Sequence, residues 1–90
     1  MVQAELTVKN DQGIHLGPAA KVASLADKFD AQIHFQTEYM DINAKSIISL
    51  VSATFRKGDK IRCVCTGPDE KAALTAMRDI LSCDLEDRKE

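Results

Sequence analysis

His15 is the residue whose neighbours best equip it for chemistry. It stands in Gly13-Ile14-His15-Leu16-Gly17-Pro18-Ala19-Ala20, between a glycine turn and the expected start of a helix. At a helix N-terminus the first backbone N–H groups lack intrahelical partners and the macrodipole is positive. Such a field disfavours the imidazolium, keeping the ring neutral and nucleophilic near neutral pH. The same N–H groups would hold a phosphate delivered onto that ring, and Gly17 offers one with no side chain in the way. The segment suits a phosphohistidine. A histidine that merely caps a helix in an exposed turn is the plain alternative.

Three further groups invite a chemical reading. Ser46, in Asn43-Ala44-Lys45-Ser46, is a preferred helix N-cap, and a phosphate there would change electrostatics more than fold. Ile47, Ile48, Leu50 and Val51 cover well over half the circumference of a short helix. Part of that surface must stay exposed as a candidate docking patch, unless a tail or a second copy covers it. Cys63 and Cys65 share one face of a strand, where a Cys-x-Cys pair binds metal, cycles redox states or simply fills a core. No third or fourth ligand is evident, and Cys83 adds none. His34 is expected to face solvent. Paired carboxylates, a glycine-rich nucleotide loop and a Ser-His-Asp set are all missing, so neither cofactor nor metal is expected.

These residues need elements to position them. Val2, Ala4, Leu6 and Val8 alternate with polar residues and predict a half-buried strand, ended by the turn set Asn10-Asp11-Gln12-Gly13. Ala19, Val22, Ala26 and Phe29 recur at helical spacing behind Pro18, predicting a helix from about Leu16 to Lys28. Gln32 to Thr37 and Met40 to Asn43 read as strands, Ser46 to Ala53 as a short helix, and Lys60 to Thr66 as a fourth strand. Gly67-Pro68-Asp69 is expected to cap a last helix striped by Ala73, Leu74, Met77, Ile80 and Leu81. Short strands with helices that each bury one stripe predict an α+β open-faced sandwich: a four-stranded antiparallel sheet covered on one face by three helices.

Composition narrows the function class. Ninety residues allow one domain, 1–90, in which 84–90 form a polar tail. Twelve basic and fourteen acidic side chains give a net charge of −2, unlike the basic field that nucleic acid requires. No apolar run reaches the ~18–20 residues of a membrane span. The N-terminus lacks a basic lead and an apolar stretch, and three cysteines suit no disulfide framework, so a reducing cytoplasm is expected.

Gly13-Ile14-His15-x-x-Pro18-Ala19-Ala20 resembles the active-site segment of HPr, the histidine-containing phosphocarrier of the phosphoenolpyruvate-dependent sugar phosphotransferase system. Asn43-Ala44-Lys45-Ser46-Ile47 independently resembles the regulatory serine region of that family, and the order of strands and helices is the family's order. The resemblance runs from residue 2 to about 83. It implies that His15 accepts a phosphoryl group on Nδ1 from enzyme I and passes it to a sugar-specific enzyme IIA. The protein is then a substrate of enzymes, not an enzyme. It implies that Ser46 is a target of HPr kinase, which slows the histidine route and promotes binding to a catabolite-repression regulator. Ile47, Ile48 and Val51 would face outward near His15, with Leu16 and Ala20 extending the partner surface.

One departure bears on rate. The family normally carries arginine immediately before the proline, where this chain has Gly17. Leu16 is also larger than the usual residue, and Gln12 longer. A charge-assisted contact to phosphate is worth ~1.5–3 kcal/mol, so its loss slows transfer by ~10- to 100-fold. Arg56, on the loop before the fourth strand, either supplies the missing charge beside Leu16 and Gly17 or is an ordinary exposed turn arginine. A phosphocarrier is the first expectation; a regulatory binding module in carbon catabolite control, with weak or absent transfer, is the alternative.

Overall fold

The computed structural model describes residues 1–9 and 16–82. Alternating residues build its strands: β1 (Val2–Thr7), β2 (Gln32–Gln36), β3 (Asp41–Asn43) and β4 (Lys60–Thr66). The helices are α1 (Leu16–Ala26), α2 (Ile47–Ala53) and α3 (Glu70–Ser82). All strand pairs are antiparallel, in the order β1-β4-β2-β3. The register lines up Ala4, Cys63, Phe35 and Ile42 as one row, and Glu5, Arg62, Gln36 and Asp41 as the next. Because side chains alternate faces, the first row meets the helices and the second meets solvent. The expected open-faced sandwich is therefore the observed fold.

Helix α3 packs over β1 and β4, α2 lies against β3, and α1 joins α2 to α3. Phe35, Ile33, Leu50, Ile61, Met77, Leu81 and Val22 are fully buried between the layers, where Phe35 and Phe55 meet with centroids 6.3 Å apart. The expected stripe of α3 holds: Ala73, Met77 and Leu81 are buried, with Leu74 and Ile80 packed at their edge.

Several boundaries differ from expectation, each for a local reason. Helix α1 stops at Ala26 instead of Lys28, because Lys28 and Phe29 donate to the carbonyls of Leu25 and Ala26, three residues back. Lys45 Nζ then donates to the Phe29 carbonyl at 2.7 Å. Thr37 and Met40 fall outside the strands, since Thr37 N–H donates to Met40 O while Thr37 Oγ1 accepts from Tyr39 and Met40. At the start of α3, Asp69 O accepts from Ala73 N, yet the Asp69 carboxylate crosses to Asp30 and Ala31. The local side-chain bond comes instead from Glu70, whose Oε1 accepts Gly67 N–H at 3.1 Å. Gly67 has φ +150, and a Cβ there would lie 2.6 Å from Ala31 Cα, so only glycine permits this close approach.

Candidate phosphoryl-carrier site

The site is bounded at both ends by fixed backbone. Val8 N–H donates to Asp59 O at 2.9 Å and Gly58 N–H to Val8 O at 2.8 Å, so the chain leaves the sheet beside the α2–β4 loop. It re-enters at Leu16, the first residue of α1. His15 itself lies outside the described residues. Gly17 is exposed in the first turn, Pro18 and Ala19 are buried, and Ala20 is half-buried. That first turn carries no acidic side chain, so no carboxylate on it offsets the positive end of the helix. Gly17 is the second residue of α1.

Arg56 projects an exposed side chain from a closed turn. Its N–H donates to Asp59 Oδ2 at 2.9 Å, and its carbonyl accepts Asp59 N–H at 3.0 Å. The same loop pairs with Val8, which places Arg56 beside the departure of the His15 segment.

Ser46 is the N-cap of α2. Its backbone is extended at φ −101 and ψ 111, its Oγ accepts Ser49 N–H at 3.2 Å, and its carbonyl accepts Leu50 N–H. That geometry turns Leu50 inward, fully buried, and leaves Ile48 79% and Ile47 39% exposed, with Val51 half-buried. Helix α2 packs on α1, so both predicted partner-facing segments belong to one packed pair of helices.

The geometry thus brings together a helix start, a capped serine and an apolar patch, and the chain can be compared with known proteins. The family model for the PTS HPr component phosphorylation site matches residues 2–82. The chain belongs to the HPr family. It is 36% identical over 77 residues to the phosphocarrier protein HPr of Treponema pallidum, covering 86% of this chain and 88% of that one. The crystal structure of HPr-C-His from Thermoanaerobacter tengcongensis superposes with a TM-score of 0.86 at 32% identity, covering 91% and 92% of the two chains. HPr from Bacillus anthracis gives 0.84 at 30% identity, covering 88% and 94%.

The remaining candidates sit outside the HPr chemistry. Cys63 and Cys65 share a face as expected, both fully buried with Sγ atoms 3.8 Å apart. Burial pushes both thiols above their ordinary range, and for Cys63 the neighbouring Cys65 adds to it. Low thiolate character and burial make them core residues, and no cluster of three metal-ligating side chains occurs among the described residues. Cys83 lies outside the described residues. His34 is half-buried on the open face, its Nδ1 2.7 Å from Asp41 Oδ1. No described helix is long and apolar enough to cross a membrane.

What the sequence left unread is a cleft beside the Thr37–Met40 hairpin, where Tyr39 and Met40 are exposed next to Phe55. Periodicity gives no signal in a four-residue loop, and only the strand register brings it to the α2–β4 turn.

Proposed function

We propose that this chain is a working phosphocarrier in which His15 accepts a phosphoryl group from enzyme I and hands it to an enzyme IIA in the cytoplasm. The neutral imidazole attacks phosphorus through Nδ1; the P–N bond forms as the bond to enzyme I breaks, and the group later leaves to the acceptor. The match to the HPr phosphorylation-site model carries the reading. The start of α1 at the residue after His15 supports it, because unpaired N–H groups and the helix dipole stabilise the transferred charge. Leu16, Gly17 and Arg56 take the phosphate-binding roles, while Leu16, Ala20, Ile47, Ile48 and Val51 form the partner surface. Residues 1–90 act as one domain with 84–90 as a polar tail. The carrier reading takes precedence over a purely regulatory module because the matched model describes a phosphorylation site.

Ser46 is the proposed regulatory site, a substrate for HPr kinase with a catabolite-repression regulator as the downstream partner. Its support is the exposed apolar residues that follow it directly: a phosphate there would sit beside the surface through which partners approach.

The test is incubation with enzyme I and phosphoenolpyruvate, read as an acid-labile mass increase. His15→Ala abolishes it and leaves thermal melting nearly unchanged. Label that persists in that variant, or moves to His34, identifies another acceptor.

A further inference from the structure

Among the described residues β1 and β3 are the outer strands of the sheet, and the two edges are built differently. β3 is three residues long and carries Asp41 and Asn43, whereas β1 runs six residues with no proline, lysine or bulge to blunt it. Val8 N–H donates to Asp59 O, which continues the register that pairs Leu6 with Ile61 and Ala4 with Cys63. Backbone groups alternate direction along a strand. Val2, Ala4 and Leu6 therefore bond to β4, while Gln3, Glu5 and Thr7 turn their N–H and C=O outward. Val2 and Ala4, on the helix-covered face, are only half-buried. Above them a row of α3 side chains, spaced four apart, follows the edge. Glu70 Oε2 lies 3.0 Å from Met1 N, Leu74 is half-buried, and Arg78 lines a shallow cleft with Leu6 and Thr7.

We infer that the β1 edge pairs with β1 of a second copy of this chain, antiparallel across a two-fold axis at Ala4. Outward-bonding residues must face one another and side-chain faces must match, so odd positions pair with odd. With Ala4 on the axis, Gln3 exchanges backbone bonds with Glu5 of the copy, and Val2 meets Leu6 on the helix face. Sliding by two residues sets Glu5 against Glu5, a like-charge pair; sliding the other way leaves Leu6 with nothing opposite. The helices fit the same register. α3 packs over both β1 and β4, and strands lie about 4.8 Å apart, so the two α3 axes run about 10 Å apart, the spacing of packed helices. Leu74 then meets Leu74 near the axis, and Arg78 stands opposite Glu70 of the copy at both ends. A foreign strand would have to match both rows; a second copy does so by symmetry. The two Thr7 ends point in opposite directions, so each chain runs on toward His15 at its own end of the pair. Pairing therefore does not require the carrier reading.

Sedimentation equilibrium of the full chain, carried to high concentration, should fit a monomer–dimer equilibrium. Gln3→Pro removes an outward donor and no bond to β4. It should leave melting of the dilute monomer nearly unchanged and raise the dimer Kd by about tenfold or more. Arg78→Glu, an exposed substitution, should weaken the dimer in the same direction. In a Cys83→Ser background, diamide oxidation should link Ala4→Cys into a dimer and leave Glu5→Cys unlinked. A wild-type chain that stays monomeric overturns the inference. So does a dimer that well-folded Gln3→Pro leaves intact, or one that links through Glu5→Cys and not Ala4→Cys. Hydrogen exchange addresses the remaining occupant: the Gln3 and Glu5 amides should exchange slowly only at concentrations where the dimer forms. Slow exchange at every dilution means that another segment of the same chain covers the edge, and the second copy is then ruled out.

Discussion

The carboxylate of Asp69 accepts the backbone N–H of Ala31 at 2.8 Å across 38 residues of sequence. Its other oxygen accepts Asp30 N–H at 2.9 Å, so one side chain at the start of α3 closes the turn between α1 and β2. The Asp30 N–H first, and then Ala31 N–H, hold this carboxyl below its ordinary range. A depressed folded-state pKa contributes stability that is present above the unfolded value, near 3.9, and is lost as pH falls through the folded value. Asp69→Asn keeps one acceptor oxygen but sets an NH₂ against the second donor. It should melt at a lower temperature than wild type at neutral pH, and the gap should close on acidification below about pH 4. A gap that persists unchanged at low pH would mean the carboxylate charge is not what holds the turn.

Asp69 also marks where local reading of the chain stops. Gly67-Pro68-Asp69 announces a helix start, and a helix does start there, but a cap signal cannot say that the side chain is claimed by residues 38 and 39 positions away. Strand faces were legible because Ile33 and Phe35 alternate with polar neighbours, as Ile61 and Cys63 do with Lys60 and Arg62, and burial follows that period. Ser46 was legible as an N-cap for the same local reason. The nearness of the Arg56 turn to the end of β1 was not, since it depends on Val8 pairing with Gly58 and Asp59. Thr54 gave no warning either: threonine carries no turn signal, yet the end of α2 forces it into the left-handed region.

That conformation yields a stability prediction. Thr54 has φ 53 and ψ 44, a region that costs a β-branched residue ~1–2 kcal/mol. Thr54→Gly removes the clash but adds freedom to the unfolded chain, which offsets ~0.4–1 kcal/mol. The net expectation is a gain of about 0.5–1 kcal/mol, read as a higher urea midpoint with unchanged slope. A lower midpoint would show that the Thr54 Oγ1 bond to the Ala53 carbonyl, 2.7 Å long, outweighs the strain.

Ser46→Asp probes the proposed regulatory role. Aspartate is as good an N-cap as serine, and negative charge at a helix start is favourable by ~0.3–1 kcal/mol. Thermal stability should therefore hold or rise slightly. Phosphoryl acceptance from enzyme I should fall, because the new charge lies beside Ile47 and Ile48 and must be desolvated when a partner covers them. An unchanged transfer rate would leave Ser46 as a helix cap and nothing more.

Gly17→Arg addresses the departure from the family pattern directly. The position is in the first turn of α1 and exposed, where a side chain can point to solvent. Glycine in a helix is ~0.8–1 kcal/mol less favourable than alanine, and arginine is close to alanine, so the variant should melt at or above the wild-type temperature. The guanidinium would stand one residue before Pro18, able to make a bidentate, charge-assisted contact with a phosphate on His15. Such contacts are worth ~1.5–3 kcal/mol, which sets the expected acceleration of phosphoryl transfer at ~10- to 100-fold. Single-turnover transfer from phosphorylated enzyme I measures it. Arg56→Ala in the wild-type background completes the comparison, because Arg56 is an exposed cation on the loop that pairs with Val8. If Gly17→Arg folds well but transfers no faster while Arg56→Ala slows transfer, the charge is already supplied from the loop. If neither substitution changes the rate, charge at this site does not limit transfer, and the partners have adapted to a carrier without it.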